Sequence, residues 1–171
     1  MTHKCILHIV TSVDGFIADE NGISEFSFAA VKADPEFKTF YDSVSSVVMG
    51  RKSYDRIKMN SGNLFKDKDV YVITHYLRQK EENITFVHEN IMGLVQNLKK
   101  QGKGHIWLLG GAEITNILLK EKQIDEIILT QAPFLLGQGT RLFKDDNPTE
   151  KLVLEGVRTF GDYVQTHYRL K

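Results

Sequence analysis

The sequence predicts an α/β fold with a mixed, mostly parallel central sheet of about eight strands, helices on both faces and an antiparallel hairpin at the C-terminal end. Three observations carry this prediction. Short runs rich in Val and Ile recur along the chain, helical patterns lie between them, and the last two apolar segments are longer and partly alternating. Continuous apolar runs are typical of strands buried on both faces of a parallel sheet, whereas alternation indicates one solvated face.

The predicted strands of the parallel part are short and punctuated. They are Cys5–Val10, Val44–Met49, Val70–Thr74, Ile84–Val87, Ile106–Leu109 and Ile124–Leu129. The C-terminal hairpin is predicted over Leu152–Phe160 and Tyr163–Leu170, with Gly161-Asp162 between its strands.

The clearest helix start is Asp34-Pro35-Glu36, which offers Asp as the N-cap, Pro at the first helical position and Glu in the first turn. Apolar residues then recur at spacings of three and four, which marks one face of a helix. They are Phe37, Phe40, Tyr41 and Val44 in this helix, Ile91, Leu94, Val95 and Leu98 in a second, and Ile114, Ile117 and Leu118 in a third.

Composition narrows the function classes. The chain has 171 residues with 22 Lys and Arg against 22 Asp and Glu, so we expect one domain over residues 1–171 and no affinity for nucleic acid from net charge. Cys5 is the only cysteine, and no apolar run is long enough for an export signal or a membrane span. No His and Cys spacing typical of a metal site occurs. These features predict a soluble cytoplasmic protein.

Two turns have the composition of phosphate-binding sites. Gly50-Arg51-Lys52-Ser53 and Gly110-Gly111-Ala112-Glu113 each follow a predicted strand and open a helix. Glycine lets the backbone approach a ligand, and a helix N-terminus offers free N–H groups to an anion. Neither turn has the usual dinucleotide or P-loop spacing. Either could also be a tight turn with no ligand.

Polar residues mark two more strand ends. Thr74 and His75 follow the strand Val70–Thr74, and Asp14-Gly15 follows the first strand. In open α/β sheets, ligands bind at the carboxyl ends of the strands. Several such ends with suitable side chains favour one shared ligand cleft, although an Asp-Gly pair is also a common turn.

The same residues resemble a known fold family. Val47–Tyr54, with Met49-Gly50-Arg51 at its centre, resembles the cofactor-binding strand, turn and helix of dihydrofolate reductases. Trp107–Ile114 resembles their Gly-Gly turn, in which the peptide between the glycines is cis. Ser12–Ala18 and Pro133–Phe143 resemble the C-terminal reductase domain of the bifunctional riboflavin-biosynthesis deaminase-reductase. The chain is similar to stand-alone bacterial proteins of that reductase-domain family.

The resemblance implies a dihydrofolate reductase-like three-layer fold, a homodimer and NADPH as the cofactor. Arg51, Lys52 and Ser53 would bind its 2′-phosphate and pyrophosphate, with Thr74 and His75 on the adenosine side. Gly110, Gly111, Ala112 and Glu113 would face the pyrophosphate and the nicotinamide ribose. Backbone groups of Ile17 and Ala18 would meet the carboxamide, and Gly50 would allow close approach.

The substrate is expected between the first strand, the loop that follows it and the first helix. The candidate lining residues are His8, Val10, Asp14, Asp34 and Phe37, with Arg141 as the candidate for a substrate phosphate. Asp14 or Asp34 could supply the proton that follows hydride transfer. A carboxyl group in that role needs a pKa raised by burial.

Several functions stay open at this point. The resemblance implies reduction of a 5-amino-6-(5-phosphoribosylamino)uracil-like or related small heterocyclic substrate, but the riboflavin reductases carry Glu before the glycine turn and this chain has Leu109. Dihydrofolate reduction is the alternative, and it needs a buried carboxylate such as Asp34. A non-catalytic NADPH-binding module and a plain interaction domain are the remaining candidates.

Overall fold

The computed structural model describes residues 3–61, 64–76 and 78–171 of the chain. In chain order, the strands of this part are β1 (Cys5–Ser12), β2 (Phe16–Ala18), β3 (Val44–Gly50), β4 (Asp69–Ile73), β5 (Ile84–Val87), β6 (His105–Gly110), β7 (Glu126–Ala132), β8 (Thr140–Arg141), β9 (Leu152–Phe160) and β10 (Tyr163–Leu170). Eight of them form one sheet in the spatial order β5-β4-β3-β6-β1-β7-β10-β9. β10 runs antiparallel to both of its neighbours, and the other pairs are parallel.

Helices cover both faces of the sheet. They are α1 (Glu25–Ala33), α2 (Phe37–Ser43), α3 (Arg51–Ser61), α4 (Ile91–Gln101) and α5 (Ala112–Lys120). Alternation along β6 separates the two apolar layers: Leu108 packs in the cluster that includes α4 and α5, whereas Trp107 packs with residues of α2 and α3. Phe26 and Ala30 of α1 pack on Val10 of β1. The predicted α/β architecture with a C-terminal antiparallel hairpin is confirmed.

The hairpin strands have the predicted bounds, and the parallel strands agree with the prediction within two residues at each end, except that β7 extends three residues further, to Ala132. Two features were not predicted. The first is α1, whose N-cap, Ser24, makes no side-chain hydrogen bond to the helix. β2 and β8 form a separate two-stranded sheet in which Phe16 pairs with Arg141.

The predicted helix start at Asp34 is wrong by two residues. The N–H of Asp34 donates to the carbonyl oxygen of Ala30 at 3.0 Å, so this residue ends α1. α2 begins at Phe37, with Glu36 as its N-cap. The Asp34 side chain still accepts a hydrogen bond from the Glu36 N–H at 2.9 Å, which is the local pattern that made it resemble a cap.

Candidate functional site

A cavity of about 980 Å³ lies at the carboxyl ends of β1, β3, β4 and β6. Parallel strands bring these ends to one edge of the sheet, which is where α/β proteins bind ligands. Most of the residues expected to form the site line this cavity. They are His8, Val10, Ile17, Ala18, Phe37, Gly50, Arg51, Lys52, Ser53, Thr74, His75, Gly111, Ala112 and Glu113. Asp14, Asp34, Gly110 and Arg141 do not line it.

The two glycine-containing turns face each other across the cavity. A Cβ atom built on Gly50 would lie 3.8 Å from the backbone nitrogen of Gly111. Gly110 has φ of +106° and is followed by a cis peptide bond, as the resemblance implies. α3 and α5 begin directly after these turns, so both helix N-termini, with their unpaired N–H groups, adjoin the same space.

Arg51 stands at one end of the cavity in a cationic cluster. Its guanidinium lies 3.8 Å from the carboxylate of Asp55 and 5.6 Å from the centre of the Tyr76 ring. Arg78 approaches the other oxygen of Asp55 at 4.0 Å. Because two arginines share one carboxylate, this end of the cavity keeps an excess of positive charge. Asp55 lies one helical turn after Arg51, and the sequence analysis did not single it out.

Charge around the cavity is strongly unequal. Among the described residues that line it, the permanent cations are Lys32, Lys38, Arg51, Lys52 and Arg56, and Glu113 is the only carboxylate. Three of these cations have protein partners: Arg51 pairs with Asp55, Arg56 donates to the Ser24 hydroxyl at 3.1 Å, and Lys38 pairs with Asp42. The chain as a whole has no net charge, so this excess is local and favours an anionic ligand.

The other end of the cavity is apolar and aromatic. His8 and Val10 of β1 line it together with Phe37 of α2 and Trp107 and Leu109 of β6. The His8 ring is 7% exposed and lies 4.4 Å from the Phe40 ring and 6.1 Å from the Trp107 ring, between ring centres. Burial lowers the pKa of His8 to about 4. The ring is therefore uncharged at neutral pH.

Asp34 does not have the environment expected of a proton donor. Its two carboxylate oxygens lie 2.6 and 2.7 Å from Nη2 of Arg158, and Gln165 donates to it at 3.2 Å. Burial alone would raise the pKa of Asp34, but the hydrogen bonds from Arg158, from the Glu36 N–H and from Gln165 outweigh burial and lower it. The expectation of a buried acid with a raised pKa is wrong here, because the partner on β9 could not be foreseen from local sequence.

Asp14 is likewise an acceptor within a loop network. It accepts hydrogen bonds from the Ser12 hydroxyl at 2.6 Å, from the Gly137 N–H at 2.7 Å and from the Leu136 N–H at 3.2 Å. These hydrogen bonds lower the pKa of Asp14 to about 2. The residue joins the turn after β1 to the loop that precedes β8. A carboxyl group with this pKa is ionised at neutral pH and holds no proton to donate.

Arg141 also differs from its expected role. It lies on β8, is exposed to solvent, and places its guanidinium 4.7 Å from the centre of the Phe16 ring. The neighbouring glycine loop packs on β2: a Cβ on Gly139 would come within 2.2 Å of the Ala18 carbonyl oxygen. The loop therefore covers β2. Of the two residues of β8, only Thr140 lines the cavity.

Sequence reasoning missed part of the lining. Lys32 and Arg56 come from later turns of their helices, and Lys38 is the second residue of α2. Trp107 and Leu109 come from alternate positions of β6. The alternation of β6 was available as a signal, because residues two apart share one face of a strand. For Lys32 the signal was absent, since α1 itself was not predicted.

The geometry agrees with comparisons to known proteins. A model of the RibD C-terminal domain family matches residues 3–166. The uncharacterized protein YwjB of Bacillus subtilis is 36% identical over 174 residues, covering 98% of each chain.

Solved structures extend the similarity to the fold. A Shewanella sp. PV-4 protein described as a candidate riboflavin biosynthesis protein superposes with a TM-score of 0.86 at 25% identity, over 98% of this chain and 99% of the other. Dihydrofolate reductase of Enterococcus faecalis, solved with NADP(H), has a TM-score of 0.73 at 12% identity, over 100% and 99% of the two chains, which shows the shared fold alone. The chain belongs to the RibD C-terminal domain family and has the dihydrofolate reductase-like fold.

Proposed function

We propose that this protein is an NADPH-dependent reductase of a small heterocyclic substrate of the 5-amino-6-(5-phosphoribosylamino)uracil type. Family membership supports a riboflavin-type reductase, and therefore an oxidoreductase, as the general function. One observation carries the proposal: a single cavity joins a cationic end with two helix N-termini to an apolar, aromatic end. The first end suits a phosphorylated dinucleotide and the second a planar ring.

The cationic end fits the cofactor. Arg51 and Lys52 would hold the 2′-phosphate, and N–H groups at the starts of α3 and α5 would hold the pyrophosphate. The close approach of Gly50 and Gly111 leaves a cradle that side chains would fill. A bound nicotinamide supplies the hydride, and the residues of this chain orient it and exclude water. Ile17 and Ala18 lie beside this space and would offer backbone groups to the carboxamide.

The apolar end would hold the substrate ring. His8, Val10, Phe37 and Trp107 provide flat and aliphatic surfaces, and no described carboxylate faces this end. Dihydrofolate reduction therefore has less support, because Asp34 is engaged by Arg158 away from the cavity. Leu109 makes the wall apolar at the position where riboflavin reductases carry Glu, so a related ring other than the riboflavin intermediate is also compatible.

The experiment that tests this function follows NADPH oxidation at 340 nm with each of two substrates, 5-amino-6-(5-phosphoribosylamino)uracil and dihydrofolate. We expect turnover with the first or with a close analogue that lacks the phosphate, and little with dihydrofolate. Tight NADPH binding without turnover of a broad heterocycle panel would instead indicate a non-catalytic module. Absence of NADPH binding would contradict the proposal.

We also propose that the protein is a homodimer through its C-terminal hairpin. β9 is an edge strand. The register of β9 and β10 sets Leu152, Leu154, Val157 and Val164 on one face, and each of them is more than one-third exposed. An exposed apolar face on an edge hairpin is a surface that a second copy would cover.

A further inference from the structure

His8 has a buried nitrogen without a partner. Nδ1 makes no hydrogen bond with the described residues, and His8 as a whole is only 7% exposed. The indole of Trp107 contacts the backbone and not the ring, because its Nε1 donates to the His8 carbonyl oxygen at 2.9 Å. A buried nitrogen without a hydrogen-bond partner is unfavourable, because it has lost its hydration and gained no replacement. A residue that served packing alone would be better replaced by an apolar side chain.

The position of the ring indicates where a partner would come from. His8 lines the cavity beside Val10, and aromatic rings of Phe37, Phe40 and Trp107 surround its other sides. These rings offer no strong hydrogen-bond acceptor to an imidazole. The described protein therefore gives the ring no hydrogen-bond partner, and the cavity is the side from which a bound molecule would reach it, at Nε2 rather than at the enclosed Nδ1.

The charges that face His8 do not make it a cation. Asp34 favours its protonation, while Arg158 and His167 oppose it, and burial is the dominant influence. Asp34 and Arg158 are paired with each other, so their effects partly cancel. An uncharged imidazole offers one donor and one acceptor. It can accept one hydrogen bond from a positively charged ring but offers no ion pair, so it does not replace the hydration that such a ring loses on entering the cavity.

We propose that His8 is the specificity-determining residue of the apolar end of the cavity, where its imidazole hydrogen-bonds an uncharged polar edge of a planar ring and thereby selects neutral heteroaromatic rings over cationic ones. The inference rests on the proposed function for the location of the substrate. Its test needs neither cofactor nor turnover. Failure of NADPH oxidation and failure of ring selection are therefore separate results.

The test uses two probes with the same shape and different charge. 5-Phenyluracil is neutral at pH 6, and 2,4-diamino-5-phenylpyrimidine is protonated there. Trp107 is the only tryptophan of the chain and lines the same end of the cavity, so its fluorescence reports binding at this position. We expect the wild type to bind the uracil more tightly than the diaminopyrimidine by about tenfold or more, which corresponds to about 1.4 kcal/mol.

Two variants assign the selection to His8. His8→Leu removes the polar group and should weaken uracil binding by about fivefold to tenfold, the value of one hydrogen bond. His8→Asp should reverse the order of the two probes, because a carboxylate pairs with the protonated ring. His3→Leu, at a half-buried position outside the cavity, is the matched control and should change neither affinity.

A measurement on the wild-type protein tests the proposal even if the His8 variants do not fold. Long-range ¹H–¹⁵N spectra should show a shift of the His8 ring nitrogens when 5-phenyluracil is added. Tighter binding of the diaminopyrimidine by the wild type, binding of neither probe at millimolar concentration, uracil affinity unchanged in His8→Leu, or unshifted ring nitrogens would each overturn the proposal.

Discussion

Nη2 of Arg158 lies 2.6 and 2.7 Å from the two carboxylate oxygens of Asp34, although 124 residues separate them in the chain. The pair joins the edge strand β9 to the junction between α1 and α2. α2 carries Phe37 into the cavity, and Phe37 and Phe40 pack on His8. One ion pair therefore connects the outer hairpin to the wall of the apolar end.

Removing one member of this pair should destabilise the protein and loosen the substrate end. The Asp34 side chain is 3% exposed and that of Arg158 is 25% exposed. Arg158→Met should therefore lower the free energy of unfolding by about 2–3 kcal/mol, somewhat less than for a fully buried pair. We also expect KM for the substrate to rise more than kcat falls. Urea denaturation and steady-state kinetics measure the two effects.

The same hairpin offers a matched control. Arg169 donates to Glu155 at 2.9 Å with both side chains about half exposed, so Arg169→Met should change stability by less than about 1 kcal/mol. Equal losses for Arg158→Met and Arg169→Met would contradict a special role for the Asp34 pair.

Acid should destabilise the protein through His8. Its folded pKa of about 4 lies below the unfolded value of about 6.5. Between these two values the unfolded chain binds a proton that the folded chain excludes, so the free energy of unfolding falls as pH decreases. The loss should approach about 3 kcal/mol across this range. Urea denaturation at several pH values measures it.

His8→Leu should remove most of this slope. A smaller slope should persist, because burial also lowers the pKa of His105. A wild-type stability that does not change between pH 6.5 and 4 would show that His8 is not buried as described.

Arg51 should control the choice between NADPH and NADH. Arg51→Ala should weaken NADPH binding by about 1.5–3 kcal/mol, the value of a charge-assisted hydrogen bond, and leave NADH binding nearly unchanged. The structure adds a second variant. Asp55→Asn removes the carboxylate that lies 3.8 Å from Arg51, so it should tighten NADPH binding.

Isothermal titration with both cofactors, at low and high salt, measures these effects. The NADPH preference should weaken with salt. Equal losses for both cofactors in Arg51→Ala would assign the residue to the turn alone, and equal wild-type affinities would contradict the NADPH assignment.

Asp14→Asn should leave kcat unchanged, because the residue is an ionised acceptor outside the cavity. The substitution weakens the hydrogen bonds from Ser12 and Gly137, so the loop before β8 should exchange its amide hydrogens faster. Hydrogen exchange and the pH profile of kcat separate the two outcomes. A large loss of kcat would restore Asp14 as a candidate proton donor.

Charges on the hairpin should disrupt the proposed dimer. Val157 is 58% exposed and Leu154 is 55% exposed, on the same face of the hairpin. Val157→Glu should convert a dimer to a monomer in light scattering at micromolar concentration without unfolding it. Val153→Glu, on the opposite face of the same strand where it pairs with Arg169, is the control. A wild-type protein that is monomeric at micromolar concentration would contradict the proposed dimer.

The sequence predicted what local patterns encode. The turns at Gly50 and Gly110 follow buried strands and carry short-range signals, so the sequence alone is enough to locate both. Asp34 shows the limit: its turn chemistry was visible, but its pairing with Arg158 depends on a distant strand. α1 was missed although Ser24 at its N-cap and Glu25 in its first turn are ordinary start signals. In the structure the Ser24 hydroxyl accepts from Arg56 instead of capping the helix.

The unequal charge of the cavity has a consequence for the whole molecule. Positive and negative side chains are equal in number over the chain, so a cleft enriched in cations leaves the remaining surface with net negative charge. The protein is therefore an electric dipole whose positive end is the mouth of the cleft. Such a dipole turns the mouth toward an approaching small anion before contact and increases the rate of productive encounter.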